Sequence, residues 1–147
     1  MMVAAILTAL VRHLFPTAPG FNFDAPVAGT GKTLLASFIQ ALCGMQPSAI
    51  PQTKDEEEMR KRLTSVLRAG DPAILLDNIR GDFNSATLEA LITSQVFKDR
   101  ELGVNKMLSL PTSVMILLSG NNLRLGGDLY RRVLTCRVAA TENQFLA

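Results

Sequence analysis

Residues 21–42, FNFDAPVAGTGKTLLASFIQAL, pass from apolar alternation through a Gly-rich turn into a helical pattern. Phe21 and Phe23 fall on one face of a short strand, as a period of two requires. After the turn, Leu34, Leu35, Phe38, Ile39 and Leu42 recur at the three-and-four spacing of a helix with one buried face. Between the two stands Gly29-Thr30-Gly31-Lys32-Thr33. Glycines there let successive backbone N–H groups turn toward a phosphate with no side chain in the way. The positive end of the following helix dipole lies at the same place.

Strand, Gly-rich turn and helix in that order are the context of a Walker A motif. The expected phosphate contacts run over Val27, Ala28, Gly29, Thr30, Gly31, Lys32, Thr33 and Leu34. Lys32 is expected to reach the β- and γ-phosphates of ATP, and the Thr33 hydroxyl to ligate Mg²⁺. Pro26 occupies the usual position of the loop's first glycine. It removes one backbone donor, but the donors nearest the β-phosphate come later, and a fixed φ suits a chain leaving a strand. Average composition would give Gly-x-Gly-Lys-Ser/Thr by chance in about one chain of this length in two hundred.

Composition agrees with one globular domain. The chain has 147 residues, 48% hydrophobic and 19% charged, enough to bury a core and too apolar for disorder. A net charge of +2 does not announce nucleic acid without a local basic patch. Cys43 and Cys136 have no metal or redox spacing and read as small buried residues of a reducing, cytoplasmic compartment. The opening MMVAAILTALVRHLF has no basic residue before its apolar run and is too short to span a bilayer. Val3, Ile6, Leu7, Leu10, Val11 and Leu14 predict an amphipathic helix over 1–15 packed on a core at 20–140. His13, the only histidine, reads as structural.

Two further strands fit beside the loop. GDPAILLDNIRG, residues 70–81, is a turn, a wholly apolar run and then Asp77. Fully apolar strands belong to parallel sheets covered on both faces, and ligands of such sheets bind at the carboxyl ends of the strands. Asp77 is thus the expected Walker B carboxylate, holding Mg²⁺ with Thr33. SVMILLSGNN, residues 113–122, repeats the design and breaks into Ser119-Gly120-Asn121-Asn122. GGDLYRRVLTCRV then predicts a short helix carrying Arg131 and Arg132, followed by a last strand over 133–138.

The order Walker A, Walker B, polar strand tip and arginine pair resembles the core of AAA+ ATPases. APVAGTGKTLLA, LRAGDPAILLDN, FKDRELG, SGNNLRLGGDLYRRV and the closing ATENQ are similar to the ATPase module of phage and prophage primase-helicase proteins. The resemblance implies a three-layer α/β P-loop NTPase core with a five-stranded parallel sheet, order 5-1-4-3-2. It also implies a homo-oligomer, usually a hexameric ring, that hydrolyses ATP and translocates on DNA. Asn121 would be the sensor that orients the attacking water. Arg131 and Arg132 would be fingers into a neighbour's site, with Arg132 preferred.

Departures from the AAA+ pattern matter. Asn78 follows Asp77 where most active members have a catalytic glutamate, and Asn78 can orient a water without taking its proton. The helical lid with its sensor-2 arginine is expected to be missing. The nearest acidic supply is KDEEEMRKRL, residues 54–63, which opens a helix with Met59, Leu63, Val66 and Leu67 inward. Its charges suit the helix dipole, while Glu57 or Glu58 is the alternative surrogate base.

FKDRELGVNKMLSLP, residues 97–111, alternates around a turn at 103–105 and predicts a β-hairpin, after a helix burying Leu88, Leu91, Ile92 and Val96. Lys98, Arg100 and Lys106 are then candidate contacts to single-stranded DNA. Two functions from different classes follow: an ATP-hydrolysing replication-helicase module, or a non-hydrolytic nucleotide-binding scaffold, a degenerate remnant. Neither involves a membrane.

Overall fold

The fold, a computed structural model, describes residues 1–100, 103–104 and 106–139. Asn105 and the closing stretch 140–144, both named above, lie outside them. The chain runs α1 (Met2–Val11), a 3-10 turn at Arg12–Leu14, β1 (Gly20–Ala25), α2 (Lys32–Leu42), β2 (Ile50–Pro51), α3 (Glu56–Ala69), β3 (Ala73–Phe83) and α4 (Ala86–Thr93). It continues with β4 (Val96–Arg100), β5 (Met107–Pro111), β6 (Met115–Leu125), α5 (Leu129–Arg132) and β7 (Val133–Arg137).

Five strands form one parallel sheet in the order β2-β3-β6-β1-β7. Written in chain numbering this differs from the 5-1-4-3-2 expected above, because β4 and β5 come between β3 and β6 and raise the numbers of the last two sheet strands. Strands β4 and β5 pair antiparallel in a separate hairpin.

The period of two sorts the apolar strand residues between two cores. Ala73, Leu75, Met115 and Leu117 join Phe21 and Phe23 under α1 and α2. Ile74, Leu76, Ile116 and Leu118 face α3 and α4, meeting Met59, Leu63, Leu67, Leu88 and Leu91. The runs AILL and MILL are apolar throughout for this reason. The helix signals are equally local. Asp55 caps α3 by accepting from the backbone N–H groups of Glu57 (2.9 Å) and Glu58 (3.3 Å), and Gly70 ends it in the left-handed region.

The two helices of the first layer sit differently from their expected faces. In α1 the buried residues are Ala5 and Ala9, while Val3, Leu7 and Leu10, and Leu14 in the turn after it, are each more than half exposed. In α2 the buried set is Lys32, Ala36, Ile39 and Gln40, with Leu34 and Phe38 turned outward. Ala5, Ala9 and Ala36 share one cluster, and small side chains let two helices approach closely. Apolar periodicity marks an arc of the helix but cannot choose the alanine side when nearly every residue is apolar. Val96 likewise begins β4 and is 48% exposed rather than closing the buried face of α4.

Arg12 fixes the end of α1. It is buried, and its guanidinium donates to the carbonyls of Val114 (3.1 Å), Phe15 (2.6 Å) and Thr112 (2.8 Å). Burial pushes its pKa down, but three charge-assisted bonds offset the desolvation. Burial also pushes the Cys43 thiol up. Cys43 and Cys136 are both free and half-buried. Among the described residues no helix is long and apolar enough to cross a membrane.

Candidate functional site: a phosphate-binding loop with a hydroxyl and carboxylate pair

The loop between β1 and α2 is held open by two glycines. Gly29 (φ 78°) and Gly31 (φ 82°) both adopt left-handed backbone, which glycine reaches without strain. Nothing would crowd a Cβ at Gly31, so conformation and not space demands glycine there. Left-handed residues between ordinary ones turn consecutive N–H groups to one side, the form of an anion nest. Helix α2 starts at the next residue.

Lys32 is only 8% exposed, yet its ammonium has no hydrogen bond or ion pair among the described residues. The side-chain stem is packed away while the ammonium itself is not sealed from solvent, the usual posture of a lysine that keeps its charge available to an anion. Thr33 Oγ1 donates to Asp77 Oδ1 at 3.1 Å and lies 3.5 Å from Ser119 Oγ. Strands β3 and β6, 44 and 86 residues further along the chain, thereby converge on one hydroxyl at the start of α2. The hydroxyl and carboxylate oxygens are hard donors suited to Mg²⁺. No three His, Cys, Asp or Glu side chains cluster among the described residues, so such an ion would lean on waters and phosphate oxygens. The donor set fits that use.

Backbone geometry aims the neighbouring groups. Between Leu76 and Ile79 the register with β6 slips, and Asn78 takes φ 57°. Asp77 and Asn78 form a β-bulge, a device that re-aims side chains. Asparagine tolerates this region better than glutamate would. Opposite the bulge, a Cβ on Gly120 would stand 2.6 Å from the Ile79 carbonyl oxygen, so this approach needs glycine. Asn121 pairs in register with Ala25, the last residue of β1. Its Oδ1 is buried without a partner, as is Thr30 Oγ1 in the loop.

Lys32, Thr33, Asp77 and Asn121 are thus gathered at the carboxyl edge of the sheet, with Asn78 beside them. Ser119 joins them and was not singled out from sequence, where a serine ending an apolar run gives no distinct signal.

Other candidates lie apart. Val133 pairs with Gly20, so Arg131 and Arg132 precede β7 at the amino end of the sheet. Five residues of strand, roughly 16 Å, separate that level from the end of β1. Arg131 is exposed, whereas Arg132 donates to Asp128 at 3.1 Å. Glu57 and Glu58 pair with Lys61 (3.0 Å) and Arg62 (2.9 Å) on their own helix. Lys98 and Arg100 share the outward face of the hairpin, and Lys106 is exposed before β5. The inward Asp99 pairs with Arg60 and accepts from Thr64 Oγ1 (2.6 Å), which seats the hairpin on α3.

Over 95% of its length this chain superposes on 46% of a JCV helicase crystallised with a phenylacetamide compound, at a TM-score of 0.50 and 16% identity. The fold is helicase-like. A chain of the E. coli MS115-1 HORMA:CdnC:Trip13 complex matches 91% of this chain with 56% of its own, at a TM-score of 0.47 and 16% identity. This chain therefore spans about half the length of each. No family model and no curated protein matches it.

Proposed function

We propose that this protein is an ATP-binding, ATP-hydrolysing AAA+ module, of the kind found in phage replication helicases, that works as a ring of copies on single-stranded DNA. The observation carrying the reading is the Thr33–Asp77 contact beside Lys32, whose ammonium has no partner among the described residues, at the end of a left-handed glycine loop. Bound Mg·ATP would supply the transferable phosphoryl group and the charge that completes the site.

Each residue then has a role. The backbone from Val27 to Leu34 wraps the phosphates, and Lys32 neutralises the β/γ oxygens. Thr33 and Asp77 take the metal side, Ser119 steadies the Thr33 hydroxyl, and Asn121 with Asn78 orients water. Arg131, far from its own loop, serves a neighbour's. Lys98, Arg100 and Lys106 present phosphate contacts on the hairpin.

Asn78 favours a second reading, a nucleotide-dependent scaffold. An amide cannot accept the proton of the attacking water, and both Glu57 and Glu58 are already paired.

Ligand-linked stability tests nucleotide binding for both readings. ATP with Mg²⁺ at about a hundred times its Kd is expected to raise the unfolding midpoint by roughly 5–10 °C. No rise in the wild type, or the same rise in Lys32→Ala, would refute nucleotide binding at this loop.

A further inference from the structure

Beyond the loop itself, a second polar system ties three strands together on the face of the sheet opposite Phe21 and Phe23. Asp24 is 2% exposed and stands in register with Arg137 of β7. The two form an ion pair, and Asp24 Oδ1 also accepts the Leu123 N–H at 2.9 Å. Arg137 Nη2 donates to Asn122 Oδ1 at 2.9 Å. Asn122 Nδ2 in turn donates to the Pro26 carbonyl at 3.2 Å, where the chain leaves β1 for the loop. Asn122 holds φ 49°, so its backbone turns sharply just after Asn121.

The geometry points to Arg137 as a positioning residue that locks the sensor tip to the phosphate loop through Asn122. One guanidinium fork satisfies a buried carboxylate with one arm and fixes an amide with the other, a use that suits arginine's rigid donor geometry. The amide then clamps Pro26, whose ring already lacks an N–H. Pro26 thus takes part in the site through its carbonyl. The clamp holds Asn121, the next residue back along β6, at a set distance from the loop's γ-phosphate end. Because β7 follows α5 directly, the same link joins the loop to the segment bearing Arg131. This inference rests on the nucleotide-binding reading above.

Its test is the preference for ATP over ADP, measured by calorimetry in the presence of Mg²⁺. A clamp on the sensor tip matters for the γ-phosphate and little for ADP, whereas a merely structural residue affects both ligands alike. Arg137→Ala is expected to lower the ATP:ADP preference on the order of tenfold, as loss of a supporting partner does elsewhere, with ADP affinity nearly unchanged. Since Arg137→Ala leaves a buried carboxylate short of its cation, Asn122→Gly provides a second variant. Glycine keeps the left-handed backbone and removes only the amide. It should lose the same preference, and the double variant should lose no more than either single one. If Asn122→Gly retains the wild-type preference, or weakens ATP and ADP equally, the positioning role is refuted while nucleotide binding stands. A wild type that binds neither nucleotide refutes both.

Discussion

Replacing Arg131 by alanine is expected to reduce ATP hydrolysis on the order of a thousand-fold while leaving nucleotide affinity almost intact. The magnitude is that of removing a fixed charge aimed at negative charge that develops on the γ-phosphate. Arg131 stands at the amino end of the sheet, too far to serve its own loop, so its loss cannot disturb binding there. Arg132→Ala should have a smaller effect, because Asp128 already holds the Arg132 guanidinium at 3.1 Å. The expectation from sequence favoured Arg132; exposure favours Arg131. Mixing Arg131→Ala with Lys32→Ala should restore part of the activity, since each copy supplies what the other lacks. Steady-state phosphate release at matched protein concentrations is the measurement, and wild-type rates in both arginine variants would remove the case for action in trans.

Lys32→Ala is the second large effect. The lysine stem is buried and its ammonium has no partner among the described residues, so no ion pair of the fold is lost with it. A charge-assisted contact of this kind is worth about 1.5–3 kcal/mol, and a γ-phosphate offers more than one oxygen. ATP affinity should therefore fall by roughly a hundred-fold. Alanine is the best helix former, so α2 should survive and unfolding without nucleotide should change little. Calorimetric titration of both proteins decides it; equal affinities would show that the ammonium does not meet the phosphates.

Much of this site was legible because its signals are local. The glycine loop, an apolar run ending in Asp77 and a second ending in polar residues each occupy about ten residues of chain, and a parallel sheet brings such ends to one side, although β3 and β6 continue past them to Phe83 and Leu125. The alternation that predicts the hairpin is local too. Contacts set by register were not legible. Asp24 and Arg137 are 113 residues apart, and nothing in FNFDAP says that its aspartate faces an arginine on the last strand of the chain. Ser119 reaches Thr33 only because β6 lies between β1 and β3. The bulge at Asn78 depends on the slip between Leu76 and Ile79, which the residue types do not announce. The faces of α1 and α2 were misread for a related reason: alanines give the closest helix contact, yet hydrophobicity weights leucine and phenylalanine above them.

The most direct test of the account is phosphate release from ATP by concentrated protein, with and without Mg²⁺ and single-stranded DNA. With Asn78 in place of a glutamate, hydrolysis has to proceed without a carboxylate base at that position, and action by Arg131 across a subunit boundary makes it dependent on assembly. The account predicts Mg²⁺-dependent release that rises faster than linearly with protein concentration, increases with single-stranded DNA and vanishes in Lys32→Ala. Binding of ATP with no phosphate release at any concentration, even with DNA, would contradict it and leave the scaffold reading in its place.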